Sequence, residues 1–499
     1  MTIVGQENLN LSIEELESWI RAGDFSSVVR SISTINRNTI PRIELVRYAN
    51  IANRVNQGRI AHRLLQPIVR SDKQAKQSIV APTEDEKIEF AEALRIMGFI
   101  GEAKKILSEI DSKRQPLADL RIAFCLMTQW KYAEAIPHLR NYLNNTDAKL
   151  YSHTIAGVNL AAALVIERED EEALILLERL KVDTKKAGHQ LLYGNCLELM
   201  AQLYIHQNRF QLADQILEEA EASSLKAQTR YSLYLRKWKA ISASLQIQSV
   251  HQELESCRKL ALEEMDWETL RECDLYIGFL TKNQNLLNQV YFGTPYPSYR
   301  KRILKLAGNV FLKSESYVWN QTGTEPIHEV FDVLHGKLDS AISGLETGRL
   351  MHRLLLLLTS DLYRPLSIGS AFSELFPNEQ FSQAGSTNRI SQIVKRLRSW
   401  FHEQGDLFSI EENSGTYHLK IQPGIGLRVP REQPQLSSHS VTWMNLVSQL
   451  PANPFSKADV IQLLGCSAAS ANRLLRWSIS TDRCKAIGAG PQRKYRLIG

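Results

Sequence analysis

The chain has 499 residues, 43% of them hydrophobic and 23% charged, with a net charge of +6. That length is too great for one core and favours about three domains, and the balance is globular rather than disordered. The longest aliphatic run, Leu354–Leu358, is flanked by Arg353 and Asp361, whereas a bilayer-spanning helix takes roughly 20 apolar residues. The polar, acidic opening segment lacks the basic-then-apolar order of a secretory leader, so none is expected. Six cysteines, with no C-x-x-C pair among them, read as buried free thiols of a reducing cytoplasm. Charge is unevenly placed. Residues 386–499 hold 15 Lys and Arg against 7 Asp and Glu, a surplus of +8, and the rest of the chain is close to neutral. A basic C-terminal quarter implies a polyanionic partner for that quarter.

Up to about residue 240 one pattern recurs: a short polar or Gly-bearing turn, a small or β-branched residue, then bulky residues three and four later. Ala61 precedes Leu64 and Leu65, Ala103 precedes Ile106 and Leu107, Ala173 precedes Leu176 and Leu177, and Ala213 precedes Ile216 and Leu217. Ala135 keeps Leu139 but has His138, and Val28 with Ser31 and Ile32 is a weaker first copy. Successive copies lie 33, 42, 32, 38 and 40 residues apart. A small residue early in the second helix of a hairpin lets its two helices approach closely. The bulky pair then fills the groove against the next hairpin, so hairpins must stack to bury their faces. The pattern resembles tetratricopeptide (TPR) repeats, best in Trp130-Lys131-Tyr132-Ala133-Glu134-Ala135 and Asn208-Arg209-Phe210-Gln211-Leu212-Ala213, over residues 15–225. The resemblance implies a helical superhelix with a surface for a protein, peptide or small effector.

Helices are expected to continue through Tyr231–Leu287. Tyr291-Phe292-Gly293-Thr294-Pro295-Tyr296-Pro297 then breaks the helical pattern. Residues 288–345, rich in aromatics, read as a connecting region with room for short strands that packs on a neighbour.

From Gly348 the pattern sharpens. Leu350–Thr359 is an apolar helix, Tyr363-Arg364-Pro365-Leu366 breaks it, and Ser367 caps a second helix carrying Phe372, Leu375 and Phe376. Ser386 is expected to open a third helix, whose Ile390, Val394, Leu397 and Phe401 form a buried stripe. Its opposite face carries Asn388, Arg389, Gln392, Lys395, Arg396 and Ser399, with no acid before Glu403. Such donor-rich side chains reach phosphates and base edges. Leu407–Ile410 and Thr416–Ile421 follow as a hairpin around Glu412–Gly415. The region 348–423 resembles the DNA-binding domain of OmpR-type response regulators, in Tyr363–Ser367, Lys395–Arg398 and Gly415–Leu419. The resemblance implies a winged helix that binds DNA through Asn388, Arg389, Gln392, Lys395, Arg396, Arg398 and Thr416. The family's common acidic and His positions are Ser391 and Ile393 here, so base preference does not carry over. No receiver domain is recognisable upstream.

Pro430–Ser440 reads as a linker and Val441–Leu450 as a helix closed by Pro451. Ser456 and Asp459 form a capping box. Gly465-Cys466 makes a tight turn, and Ser467 caps a helix from Ala468 to Trp477. Lys457–Trp477, with a wing over Ile487–Leu497, resembles the helix-turn-helix of DeoR-type repressors. That resemblance points to Ser470, Asn472, Arg473, Arg476, Arg493 and Lys494 as DNA contacts.

The chain contains no phosphate-binding G-x-x-x-x-G-K-[ST] loop, no H-E-x-x-H, no Cys/His metal spacing and no G-x-S-x-G. His153, His206 and His352 lie in helical patterns as structural residues. The reading is a mainly α, non-enzymatic protein without cofactor or metal. It comprises a TPR-like array (1–287), a connecting region (288–345), a first winged helix-turn-helix domain (346–429), a linker (430–440) and a second such domain (441–499), with small β wings. The expected function is that of a cytoplasmic bacterial transcriptional regulator, associated with the nucleoid when bound to duplex DNA, with its array binding a protein, peptide or small effector. Homodimerisation is left open, no membrane partner is expected, and a protein-interaction scaffold is the alternative.

Overall fold

A computed structural model describes residues 12–22, 24–70, 80–146, 151–224, 229–247, 252–308, 314–321, 326–341, 344–432, 437–450, 454–488, 490 and 493–498. Gly23, the segment 322–325, Pro451, and Ala489, Pro491 and Gln492 of the expected second wing lie outside these residues. The chain is mainly helical. It divides into two compact units: residues 1–246 with Pro377–Phe381, and Ile247–Phe376 with Ser382–Gly499.

Unit 1 is a succession of helices: α1 (Ile13–Ala22), α2 (Phe25–Ser33), α3 (Arg42–Arg54), α4 (Gly58–Val69), α5 (Glu84–Ile96), α6 (Ile100–Ser108), α7 (Leu117–Thr128), α8 (Tyr132–Asn144), α9 (Tyr151–Glu167), α10 (Asp170–Lys186), α11 (Gln190–His206), α12 (Phe210–Ser224) and α13 (Thr229–Gln246). The expected hairpin pattern is realised in every even-numbered helix from α2 to α12. The small or β-branched residues Val28, Ala61, Ala103, Ala135, Ala173 and Ala213 are wholly buried. So are the bulky residues four later, Ile32, Leu65, Leu107, Leu139, Leu177 and Leu217. Of those three later, Leu64 is buried while Ile106, Leu176 and Ile216 are half-buried.

One backbone device closes the hairpins. The turn residue is left-handed at Asn56 (φ 60°), Gly98 (89°), Trp130 (58°), Arg168 (68°) and Asn208 (59°). The next residue's N–H then reaches back to the carbonyl five residues earlier: Gln57 to Ala52 at 2.8 Å, Phe99 to Leu94 at 2.8 Å, Lys131 to Leu126 at 3.0 Å, Glu169 to Leu164 at 2.9 Å and Arg209 to Tyr204 at 2.8 Å. This is the Schellman closure, which satisfies carbonyls left open at a helix end.

Unit 2 begins with α14 (Gln252–Glu263), α15 (Trp267–Leu280), α16 (Gln284–Phe292) and α17 (Pro297–Ala307). Met265 (φ 55°) and Lys282 (φ 54°) make the same left-handed turns here. The break at Tyr291–Pro297 is real: Gly293 ends α16, and Pro297 sits in the first turn of α17, where its missing N–H costs nothing. The aromatic segment then supplies β1 (Ser316–Trp319), β2 (Glu329–Asp332) and β3 (Lys337–Leu338). A strand from much later, β7 (Ile425–Pro430), inserts between β1 and β2, giving the order β1-β7-β2-β3 with only β2 and β7 parallel. Trp319, Phe331, Ile425, Leu427 and Val429 are its buried side chains. The Phe331 ring meets those of Trp400 and Phe408 at 6.0 and 5.1 Å, so the sheet packs on the module that follows.

That first module runs α18 (Leu350–Ser360), β4 (Leu366–Ser367), α19 (Ile368–Leu375), α20 (Gln383–Glu403), β5 (Phe408–Asn413) and β6 (Thr416–Ile421). Its strands form an antiparallel sheet in the order β4-β6-β5. Ser414 and Gly415 turn the β5–β6 hairpin with φ of 50° and 80°, the left-handed pair that a two-residue hairpin loop prefers. Ser367 caps α19 as expected. α20, however, starts three residues earlier than expected. Its cap is Ser382, which accepts from the Gly385 N–H, while Ser386 is buried and accepts from the Ser382 N–H at 2.9 Å. His352 is structural: Nδ1 accepts from the Gly348 N–H at 3.0 Å, and Nε2 lies 2.8 Å from the Val333 carbonyl.

The corner after α18 is fixed by a buried ion pair. The Arg271 guanidinium on α15, wholly enclosed, makes two 2.7 Å bonds to Asp361 and one of 2.9 Å to Glu268. The rings of Tyr296, Tyr299 and Tyr363 stand 5.2–5.6 Å from it. Asp361 also accepts from the N–H groups of Tyr363 and Arg364 and from the Tyr296 hydroxyl. Burial works against the guanidinium charge, but the Asp361 and Glu268 carboxylates outweigh it and hold the Arg271 pKa above its ordinary range.

The second module runs α21 (Ser438–Gln449), β8 (Phe455–Ser456), α22 (Lys457–Leu464), α23 (Ala468–Ser480), β9 (Cys484–Ile487) and β10 (Lys494–Leu497), with strand order β8-β10-β9. The Ser456–Asp459 capping box, the left-handed Gly465 (φ 57°) and the Ser467 cap are all present. α21 starts at Ser438 rather than Val441 because Ser437 caps it. Trp443, Leu446, Phe455, Val460, Leu474, Leu475 and Tyr495 form its core. α21 also bonds to the β2–β3 region, through Asn445 to the Leu334 carbonyl and Ser448 to His335.

The six cysteines are free, five of them buried and Cys466 half-buried. Burial pushes the Cys125 and Cys196 thiols up to about 12. Among the described residues no helix is long and apolar enough to cross a membrane.

Candidate functional site

The two modules of unit 2 each present one helix with the same division of labour. On α20 the stripe Ile390, Val394, Leu397 and Phe401 is buried, joined by Ile393. At 3.6 residues per turn, Asn388, Gln392, Lys395 and Ser399 then form a ridge diametrically opposite. Arg389 and Arg396 flank that ridge on one side and Arg398 on the other, and all of these side chains are exposed. No carboxylate among the described residues pairs with Lys395 or Arg396.

Three of the expected DNA contacts have other work. The Arg389 guanidinium lies 3.8 Å from the centre of the Phe376 ring, on the outside of the module. Arg398 reaches across to β5 and donates twice to the Ile410 carbonyl, at 3.1 and 2.7 Å, which fastens the hairpin to the helix. Thr416 is half-buried at the hairpin turn, its hydroxyl donating to the Asn413 carbonyl at 2.7 Å. This leaves Asn388, Gln392, Lys395 and Arg396 as the open donor set of the first module.

On α23 the buried stripe is Ala471, Leu474, Leu475 and Ser478. Asn472, Arg473 and Arg476 stand on the outer face, with Ser470 at its edge accepting from the Arg473 guanidinium at 3.1 Å. Lys494 is exposed on β10, and the exposed Arg493 guanidinium lies 5.7 Å from the Tyr495 ring centre. The exposed cations of the second module's expected contact set are thus Arg473 and Arg476 on α23 and Arg493 and Lys494 at β10.

Unit 1 carries a polar seam that sequence reasoning did not single out. The buried Glu89 carboxylate on α5 accepts from Asn50 at 2.9 Å and Asn53 at 2.8 Å, both on α3, and from Arg121 on α7 at 3.2 Å. Glu92, one turn on, holds Arg95 at 2.7 Å and Arg121 at 3.5 Å. Asp119 on α7 then binds His138 at 2.7 Å and Asn141, both on α8. Burial raises the cost of the Glu92 charge, yet Arg121 and Arg95 together hold its carboxyl below the usual range. The signal was present for Glu89, whose partners Asn50, Asn53 and Arg121 stand 39, 36 and 32 residues away, about one repeat, so stacked hairpins bring them together.

No family model and no curated protein matches the chain. Among solved structures, a kinesin light chain protein of Podosopora anserina with nearly identical TPR-like repeats aligns at 18% identity and TM-score 0.30, over 37% of this chain and 96% of its own. A Rap protein complexed with Competence and Sporulation Factor aligns at 11% identity and TM-score 0.41, over 59% of this chain and 87% of its own. The apo form of RapI aligns at 12% identity and TM-score 0.37, over 56% and 84%. Likenesses of this strength do not place the chain in a family.

Proposed function

We propose that the two modules of unit 2 are winged helices that bind duplex DNA, and that unit 1 binds a protein or peptide partner, so that the chain works as a transcriptional regulator. The observation that carries the DNA reading is α20: a capped helix with one face wholly buried, the opposite ridge made only of donors, and a tight hairpin behind it. A recognition helix needs this arrangement, since its outer ridge meets base edges while hairpin and helix-end cations meet phosphates. The second module repeats the scheme, and the +8 surplus of residues 386–499 supplies the long-range attraction.

A scaffold reading draws on Arg389 and Arg398, which are used inside their own module. A mobility shift of the full chain on random-sequence duplex, at two or more salt concentrations, separates the two readings. Phosphate neutralisation gives an affinity that falls linearly with salt on logarithmic axes, and the double variant K395A/R396A should flatten that slope by about two. No shift at low salt from a folded chain would rule out DNA binding.

A further inference from the structure

Unit 1 grasps a whole residue of non-helical chain, by its ring and by its main chain. Phe381 ends the five-residue segment Pro377–Phe381, and its side chain is buried while Asn378, Glu379 and Gln380 are exposed. Its ring stacks on Phe99 with centroids 3.9 Å apart and meets the edge of His62 at 5.3 Å. His62 in turn stacks on Phe90 at 5.1 Å, closing the floor of the notch. The main chain of the same residue is held at both poles. The Phe381 N–H donates to the Glu102 carboxylate at 2.8 Å, and its carbonyl accepts from the Arg70 guanidinium. Arg70 and Glu102 pair with one another, so the clamp is neutral and oriented before anything enters it.

We infer that this notch between α4, α5 and α6 is a recognition site for a phenylalanine within an extended peptide, and that Phe381 is its resident occupant. The inference gives the partner-binding half of the proposed function its site and ligand class, and does not depend on the DNA-binding half. Three features argue for recognition rather than ordinary packing. The occupant has one buried anchor side chain behind three exposed residues, as a bound peptide does. The bonds go to main-chain N–H and C=O, which any extended peptide offers. The ring slot is lined by aromatics and by an imidazole whose buried Nε2 has no hydrogen-bond partner among the described residues, so specificity falls on ring shape rather than on polar groups. A partner peptide must displace the resident segment, whose tether gives it an effective concentration of roughly millimolar.

The test uses the full chain and the blocked hexapeptide Pro-Asn-Glu-Gln-(4-fluoro-Phe)-Ser, read by broadening of its fluorine resonance. The F381A variant, which empties the notch, should bind this probe at least tenfold more tightly than the unaltered chain. Adding Glu102→Gln to F381A should weaken binding several-fold, and unlabelled hexapeptide should displace the probe while the version with Ala in place of Phe should not. If folded F381A binds no better than the unaltered chain, or if the Ala peptide competes equally, the inference is overturned. Neither result bears on the salt-dependent DNA shift, so the two failures are distinguishable.

Discussion

Replacing Arg271 with Met should cost unit 2 about 3–5 kcal/mol, because it removes one partner of a buried ion pair and leaves the other without a counter-charge. The lower end of that range is expected. Asp361 keeps the two backbone N–H groups of Tyr363 and Arg364 and the Tyr296 hydroxyl, so its charge is not stripped of every donor. Met fills much of the stem volume between the three tyrosine rings, so little of the loss comes from a cavity. A loss of about 3 kcal/mol corresponds to roughly 100-fold faster amide exchange wherever exchange proceeds by opening of the unit. The acceleration should appear together in peptides of α15 and in those covering α18 and α19, since Arg271 ties the first to the corner between the other two. Asp361→Asn in the R271M background removes the stranded charge but keeps an oxygen for the two N–H groups. It should recover at least a third of the loss. Acceleration below about fivefold (about 1 kcal/mol), or a double variant no better than R271M, would refute the reasoning.

His62 supplies a pH dependence. Burial first, then the Arg70 cation, lowers its pKa to about 4, so the folded chain keeps it neutral where the unfolded imidazole, near 6.5, takes a proton. Its contribution is complete above about pH 6.5 and lost as pH falls toward 4, about 3 kcal/mol in all. Thermal melts of the full chain should show this decline, and His62→Gln should flatten it. In the first module, Gln392→Ala should cost about 1–3 kcal/mol on a preferred duplex and relax preference there, while Lys395→Ala should weaken all duplexes alike; equal proportional losses would show that the ridge does not read bases. Met265, left-handed and 57% exposed, should gain up to about 1 kcal/mol on replacement by Gly, checked by the urea midpoint of the full chain.

What the sequence made legible was local. The buried small residues of the hairpins, the Ser367 and Ser467 caps, the Ser456–Asp459 box and the α20 stripe all follow from spacing within one or two helical turns. What it hid was decided by distant partners. Two serines competed to cap α20, and Ser382 won because Ser386 turns inward to accept its N–H. β7 joins β1 and β2 across about a hundred residues, through strands too short to show a period. The donor face of α20 read correctly as exposed, but nothing near Arg389 or Arg398 in sequence announced the Phe376 ring or the Ile410 carbonyl. The seam around Glu89 needed the stacking of hairpins, not merely their existence.

The left-handed closures carry a consequence for how such a chain can change. The joint is written in main-chain atoms, and residues as unlike as Asn, Gly, Trp, Arg, Met and Lys occupy it. The two helices of each pair therefore meet through the same hinge geometry whatever side chains stand at the joint, which leaves variation in repeat length to the loops between pairs. Residues can be gained or lost in the loops between pairs without propagating an angular error down the stack. That tolerance accounts for a spacing that wanders between 32 and 42 residues while the buried positions keep their places, and it marks the loops between pairs as the sites where insertions would be absorbed.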